Sequence, residues 1–250
     1  MAAAGAGPVV PADGRAPQLL RSLHGRTEVG TRAPVQVAGR DRDRWAARHL
    51  VDCLVGAGFT DVVTGAGPDP GCSATAVRAR SLADTVRPGL LVLCVGLNPS
   101  LAAADAGVAY VTASNRFWPA AEAAGLVPVG RDPASALRAG VGLTDLVKRA
   151  TPRAHHLDPD EYRTGVGRVE RLVRWLRPGA VAFVGLTGYR AAVDPSAVVG
   201  PQPAWFGGRP AYVLPSTSGA NAHASFDDLV GHLSAAAGGT AGWARPPPGR

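Results

Sequence analysis

Lysine is almost missing from this chain: Lys148 is the only one, although arginine brings the basic residues to 26. Cysteine is scarce too. Cys53, Cys72 and Cys94 are the only three and share no CxxC spacing, so neither a zinc site nor an iron–sulfur cluster is indicated. No apolar run approaches the roughly 18–20 residues that cross a bilayer. The opening MAAAGAGPVVPADGR has no charged leader followed by an apolar stretch and does not read as a secretory signal. These absences predict a soluble, cytoplasmic protein with no membrane partner.

What is present suffices for a folded domain. The 250 residues are 46% hydrophobic, and the mean hydropathy is +0.05. That length fits one core with extensions. Twenty-six Lys+Arg against 19 Asp+Glu give a net charge of +7 and an isoelectric point near 10.1. Such a balance favours an anionic partner such as nucleic acid. The abundance of Ala, Gly, Arg and Pro points equally to a coding bias, so charge alone does not decide the matter.

Residues 1–40, rich in Ala, Gly, Pro and Arg with no sustained period, predict a flexible arm. Residues 41–85 predict a mainly helical extension. In it, DRDRWAARHLVDCLVGAGF places Trp45, Leu50, Cys53 and Leu54 on one face, a short strand covers 61–64, and a helix spans 73–86. Apolar strands are expected at 90–95, 180–185 and 211–214. Helices are expected from Ser114 or Asn115 to about Ala124, over 160–176, from Gly188 to Val193, and from a Ser225 cap with Asp228 to about Ala237. Buried strands alternating with helices predict an α/β fold, three layers deep, with a mostly parallel central sheet over 86–238. Residues 239–250 predict a flexible tail. In such sheets ligands bind beyond the carboxyl ends of the strands, which is where Gly96-Leu-Asn-Pro-Ser100 and Leu214-Pro-Ser-Thr-Ser-Gly219 fall. Asn98 in the first loop reads either as turn chemistry or as reaction chemistry. His155 and His156 are neighbours without a partner cluster, and no metal site is expected from them.

Four ordered blocks carry a resemblance. Gly96-Leu-Asn-Pro-Ser-Leu101 is similar to a G-I-N-P-G-L motif. Tyr110 and Asn115-Arg-Phe-Trp118 follow as an aromatic and N-[RH]-F-W. Gly142 to Pro152, GLTDLVKRATP, is similar to G-[FV]-T-x-[ML]-V-x-R-x-T-P, and Leu214 to Gly219 to [LM]-P-[NS]-[PS]-S-[GA]. Together they resemble the mismatch-specific uracil/thymine DNA glycosylases, the second family of the uracil-DNA glycosylase superfamily, over about residues 90–235.

The resemblance implies a monofunctional DNA glycosylase of base excision repair. It would flip a uracil, or a thymine or modified pyrimidine opposite guanine, into a pocket and hydrolyse its glycosidic bond. It implies no cofactor, no metal and no lyase step, with DNA as partner, a monomeric state and nucleoid association when bound. Asn98 would position the water. Gly96 and Leu97 would line the pocket, and Tyr110 would stack on the base, with a core tyrosine as the alternative. Asn115 would line the pocket or cap the next helix. Asp145 would influence base choice, or be a solvated loop acid. Ser216 would contact both substrate and backbone, with Ser218, Gly219, Ala220, Asn221 and His223 on the DNA. Two departures stand out. Ala220 is too small to plug the gap left by a flipped base, and Ser100 replaces the usual Gly. They open a second reading, a weakly catalytic protein that binds lesions or single-stranded DNA, and a third, a nucleoside hydrolase.

Overall fold

In the strand over Val92–Gly96 every residue is buried, yet alternate residues belong to different cores. Val92 and Cys94 pack with Trp118, Leu229 and Leu233; Leu93 and Val95 pack with Val169, Val173 and Phe183. The same period-two split runs through Ala180–Val184 and Ala211–Leu214, as expected of a sheet covered on both faces. The computed structural model describes residues 8–38, 47–67 and 71–238.

In chain order the strands are β1 (Val9–Pro11), β2 (Arg32–Ala38), β3 (Phe59–Gly67), β4 (Gly71–Arg78), β5 (Val92–Gly96), β6 (Val141–Asp145), β7 (Ala180–Val184), β8 (Gly200–Pro201) and β9 (Ala211–Leu214). The helices are α1 (Ala16–Arg26), α2 (Ala47–Gly56), α3 (Leu101–Ala106), α4 (Phe117–Ala123), α5 (Pro133–Arg138), α6 (Pro159–Leu176), α7 (Leu186–Ala192) and α8 (Phe226–Ala237). The larger sheet has the order β6-β5-β7-β9-β8. All of its pairings are parallel except the short antiparallel edge made by β8. Helices α4 and α8 supply buried residues to one face and α6 to the other, giving the three-layer α/β/α fold expected. Ser225 and Asp228 form the anticipated capping box of α8.

The N-terminal third departs from expectation. Residues 8–38 are not a loose arm: β1, α1 and β2 join β4 and β3 in a second sheet, order β1-β2-β4-β3. Leu20, Val35, Leu50, Leu54, Phe59 and Ala76 fill its core. Pro34 hid β2 in the sequence, but β1 pairs only with Gln36–Ala38, so β2 has a free edge at Pro34 where a missing N–H is tolerated. Residues 73–78 are strand rather than helix. Buried Ala74 and Ala76 alternate with half-buried Ser73, Thr75 and Val77, a period-two pattern that alanine's helix propensity obscures. Leu50, Cys53 and Leu54 of α2 are buried as expected; Trp45 and the expected tail at 239–250 lie outside the described residues. The two sheets are tied together by Arg171 of α6, which donates two hydrogen bonds of 2.6 and 2.8 Å to Asp52 of α2.

Candidate functional site

The four parallel strands β5, β6, β7 and β9 end at one edge of the sheet, and a cavity of about 270 Å³ opens there. Its walls include Leu97, Asn98, Tyr110, Asn115, Asp145 and Ser216. Four blocks far apart in sequence thus meet at one place, because parallel strands present all their carboxyl ends together.

Asn98 follows β5, and its orientation is fixed. Its side-chain Nδ2 donates to the carbonyls of Pro99 (3.2 Å) and Arg149 (3.0 Å) and to Thr151 Oγ1 (2.8 Å). The Thr151 hydroxyl donates to the Arg153 carbonyl at 2.9 Å, so toward Asn98 it accepts. Turning the amide over would set its oxygen against three acceptors. Oδ1 is therefore the free end, and among the described residues it accepts no hydrogen bond. Arg149 is held by a bidentate pair with Glu161, at 2.7 and 2.6 Å, so the loop that orients Asn98 is itself anchored to α6.

Tyr110 has φ +54°, a left-handed backbone that an aromatic residue adopts only under constraint. Trp118 supplies part of that constraint by donating from Nε1 to the Ala109 carbonyl at 2.7 Å. The Tyr110 ring stacks on Phe117, with centroids 4.2 Å apart and planes 27° from parallel, and also lines the cavity. Phe117 and Trp118 are buried core. Gly96 is needed for a close approach: a Cβ there would overlap the Asp145 carboxylate and lie 3.0 Å from the Tyr110 hydroxyl.

Asp145 is not a solvated loop acid. It ends β6, is 6% exposed, and lines the cavity. Burial pushes its pKa up to about 6; Asp84 adds to the rise, while Lys148 and Arg168 oppose it. Burial, then the Asp145 charge, pushes the Tyr110 phenol well above its ordinary value. Behind Asp145 lies a buried ionic cluster. Asp84 accepts from Lys148 Nζ (2.7 Å), Arg168 (2.9 Å) and Thr144 Oγ1 (2.7 Å). Burial alone would raise the Asp84 pKa, but the Lys148 and Arg168 charges and the hydrogen bonds outweigh it and hold the carboxyl below its usual range. The only lysine is thus engaged in that cluster.

Asn115 lines the cavity, and its Oδ1 accepts from Phe117 N at 3.0 Å just before α4, whose N-cap is Arg116. The 214–219 loop after β9 packs closely on the 112–116 loop, since a Cβ at Gly219 would sit 2.6 Å from that of Ser114. Ser218, Gly219, Ala220 and His223 are exposed, Ser216 and Asn221 half-buried. Ser216 Oγ accepts from Ser218 N and Ser218 Oγ from Ala220 N, which leaves both hydroxyl hydrogens able to donate outward. His155 and His156 are exposed in a short 3-10 turn, and among the described residues no cluster of three or more His, Cys, Asp or Glu could hold a metal.

Two supporting residues escaped the sequence reading. Arg116 pins the 214–224 loop, donating to the carbonyls of Ala224 (2.7 Å) and Asn221 (2.8 Å), and Thr151 orients Asn98. Both sit inside the quoted blocks, but nothing in the sequence says that their partners lie on other loops.

The family model for the uracil DNA glycosylase superfamily matches residues 83–233. The chain belongs to that superfamily. The matched segment holds all four parallel strands and every residue of the cavity wall except Leu82. Superfamily membership carries DNA glycosylase activity on uracil, hydrolysis of an N-glycosyl bond with DNA as the partner. The β1–β4 sheet lies outside the match. Among the described residues no helix is long and apolar enough to cross a membrane.

Proposed function

We propose that the chain is a monofunctional glycosylase of the mismatch-specific type that removes uracil from DNA in base excision repair, with Asn98 holding the attacking water. The observation that carries this reading is the Asn98 amide, whose donor end is locked by three acceptors and whose Oδ1 is left to accept from a water. As the C1′–N bond breaks, the sugar becomes cation-like and the pyrimidine leaves as an anion. Water then adds to C1′, and its proton passes, through solvent, to the departing pyrimidine anion. A cation-like centre needs a positioned water more than a deprotonated one, so an amide suffices.

In this reading the flipped base lies against Tyr110, whose far face is backed by Phe117. Gly96 leaves room for the Asp145 carboxylate beside the Tyr110 hydroxyl, where it meets the base edge. Ionised, Asp145 accepts from the base N–H but repels the leaving anion; protonated, it donates to a carbonyl and stabilises that anion. Ser216, Ser218 and Gly219 grip the phosphates around the flipped nucleotide, and Ala220, Asn221 and His223 face the gap in the stack.

The test compares end-labelled oligonucleotides carrying one uracil, single-stranded or opposite G or A, with free deoxyuridine, followed by hot alkali. Uracil release from DNA, fastest opposite G, supports the reading. Free deoxyuridine as the best substrate would replace it with nucleoside hydrolysis. The small, exposed Ala220 favours one second reading, a lesion- or single-strand-binding protein with feeble turnover. Tight binding without cleavage would select it.

A further inference from the structure

Beyond the base cavity, across the 214–224 loop, lies a second cavity of about 460 Å³. Its polar wall is made by Thr187, Ser216, Asn221, His223, Asp228 and His232, and Leu186, Val199 and Pro215 close it with apolar surface. Both cavities fall in or near the size range of small-ligand sites, roughly 300–1,000 Å³. Ser216 is the one residue lining both.

We propose that this second cavity is a subsite for the base of the nucleotide adjacent to the excised one, on the same strand. A single phosphate joins two nucleosides. A side chain that grips that phosphate has one nucleoside on each side of it, and Ser216 has one cavity on each side. The proposal therefore rests on Ser216 as a phosphate contact.

The partition between the cavities is built to stay in place. Asn221 donates from Nδ2 to the Ser216 carbonyl at 2.8 Å, and Arg116 ties down Asn221 and Ala224 from the other direction. The wall chemistry suits a base rather than a second phosphate. Asp228, its carboxyl held below the ordinary range by its hydrogen bonds with Ser225, presents a carboxylate that would repel an anion. One of its oxygens caps α8, accepting from Ser225 N at 2.8 Å; the other is available to accept from a ligand. His232 is oriented by a 2.8 Å hydrogen bond between its Nδ1 and the Tyr212 hydroxyl, and among the described residues its Nε2 has no partner. A carboxylate beside an imidazole recognises an exocyclic amine with a neighbouring ring nitrogen. The favoured neighbour therefore carries an amino group, as cytosine and adenine do, and thymine is disfavoured.

The experiment uses single-stranded oligonucleotides with one fixed uracil, whose 5′ or 3′ neighbour is A, C, G, T or an abasic residue. Uracil release is measured with the wild-type chain and with the Asp228→Asn and His232→Leu variants. On one side only, an abasic neighbour should lower kcat/KM about tenfold, the scale of one base contact, and through KM. An amino-bearing base should restore it better than thymine. In Asp228→Asn and His232→Leu the neighbour dependence should vanish while the abasic-neighbour substrate is cleaved as by wild type. Equal rates with base and abasic neighbours on both sides would overturn the subsite. If no uracil is released at all, the glycosylase reading fails separately, and the same series is read as binding anisotropy. One-sided weakening by the abasic neighbour still supports the subsite, and no weakening overturns it.

Discussion

Thr151 helps to fix which end of the Asn98 amide faces the cavity, because with its own hydroxyl hydrogen committed to Arg153 it accepts alongside the Pro99 and Arg149 carbonyls. Thr151→Val removes that acceptor while keeping the shape. It should lower kcat on the order of 10-fold with KM little changed, since misplacing a reacting group costs rate rather than affinity. An unchanged kcat would mean that the two carbonyls orient the amide unaided. Asp145 gives a second test. Its pKa, 3.8 in the ordinary case, is raised to about 6 by burial, so ionisation is harder in the folded protein than in the unfolded chain. Below the unfolded value both states are protonated and nothing is lost. As pH rises from the unfolded value through the folded one the penalty builds up, reaching about 3 kcal/mol above about pH 6. Asp145→Asn should therefore match wild type in denaturant unfolding near about pH 4 and be the more stable protein near about pH 8. In the proposed mechanism kcat of wild type falls as pH rises through that same window, and the Asn variant loses this limb. Equal stabilities at both pH values would contradict the burial argument.

At the scale of elements, three of the four parallel strands that build the site were the most legible part of the chain, whereas β6 was not, because its Val-Gly-Leu-Thr-Asp run is short and interrupted by Gly, Thr and Asp. Leu90 to Gly96, Ala180 to Val184 and Ala211 to Leu214 are continuous apolar runs bounded by Gly or Pro, and buried parallel strands leave that pattern. The loops after β5 and β9 were legible as site loops because Pro99 and Pro215 end the strands abruptly. Of the β1–β4 sheet only the 61–64 part of β3 was legible; the rest was not, because Pro34 and a run of alanine and glycine disguise its alternation. Nor was the Asp84 cluster, whose members Asp84, Thr144, Lys148 and Arg168 lie on different segments and meet only when α6 docks on the sheet. Arg168 also donates to the Asp145 carbonyl at 2.6 Å, so it braces the end of β6 that carries the pocket acid. Arg168→Met leaves a buried charge short of a partner and should cost about 3–5 kcal/mol in equilibrium unfolding. A loss well under that would mean Lys148 alone satisfies Asp84.

The whole molecule joins a superfamily domain to a second sheet of its own, through Arg171–Asp52 and the Trp175 side chain, which packs against both cores. Its net charge of +7 has a direct consequence for a DNA-acting protein. Affinity for an oligonucleotide should fall at least about tenfold between low and physiological salt, with a linear log–log slope that counts the phosphates neutralised. A flat salt profile would show that the basic surplus is compositional, as the arginine-rich, lysine-poor make-up also allows. The measurement that reaches the centre of the account is single-turnover release of uracil from a labelled oligonucleotide by wild type and by Asn98→Ala, with DNA binding measured alongside. The account predicts release by wild type, its loss in the variant by about two orders of magnitude or more, and binding retained by both. Release at the same rate without the Asn98 side chain would contradict it.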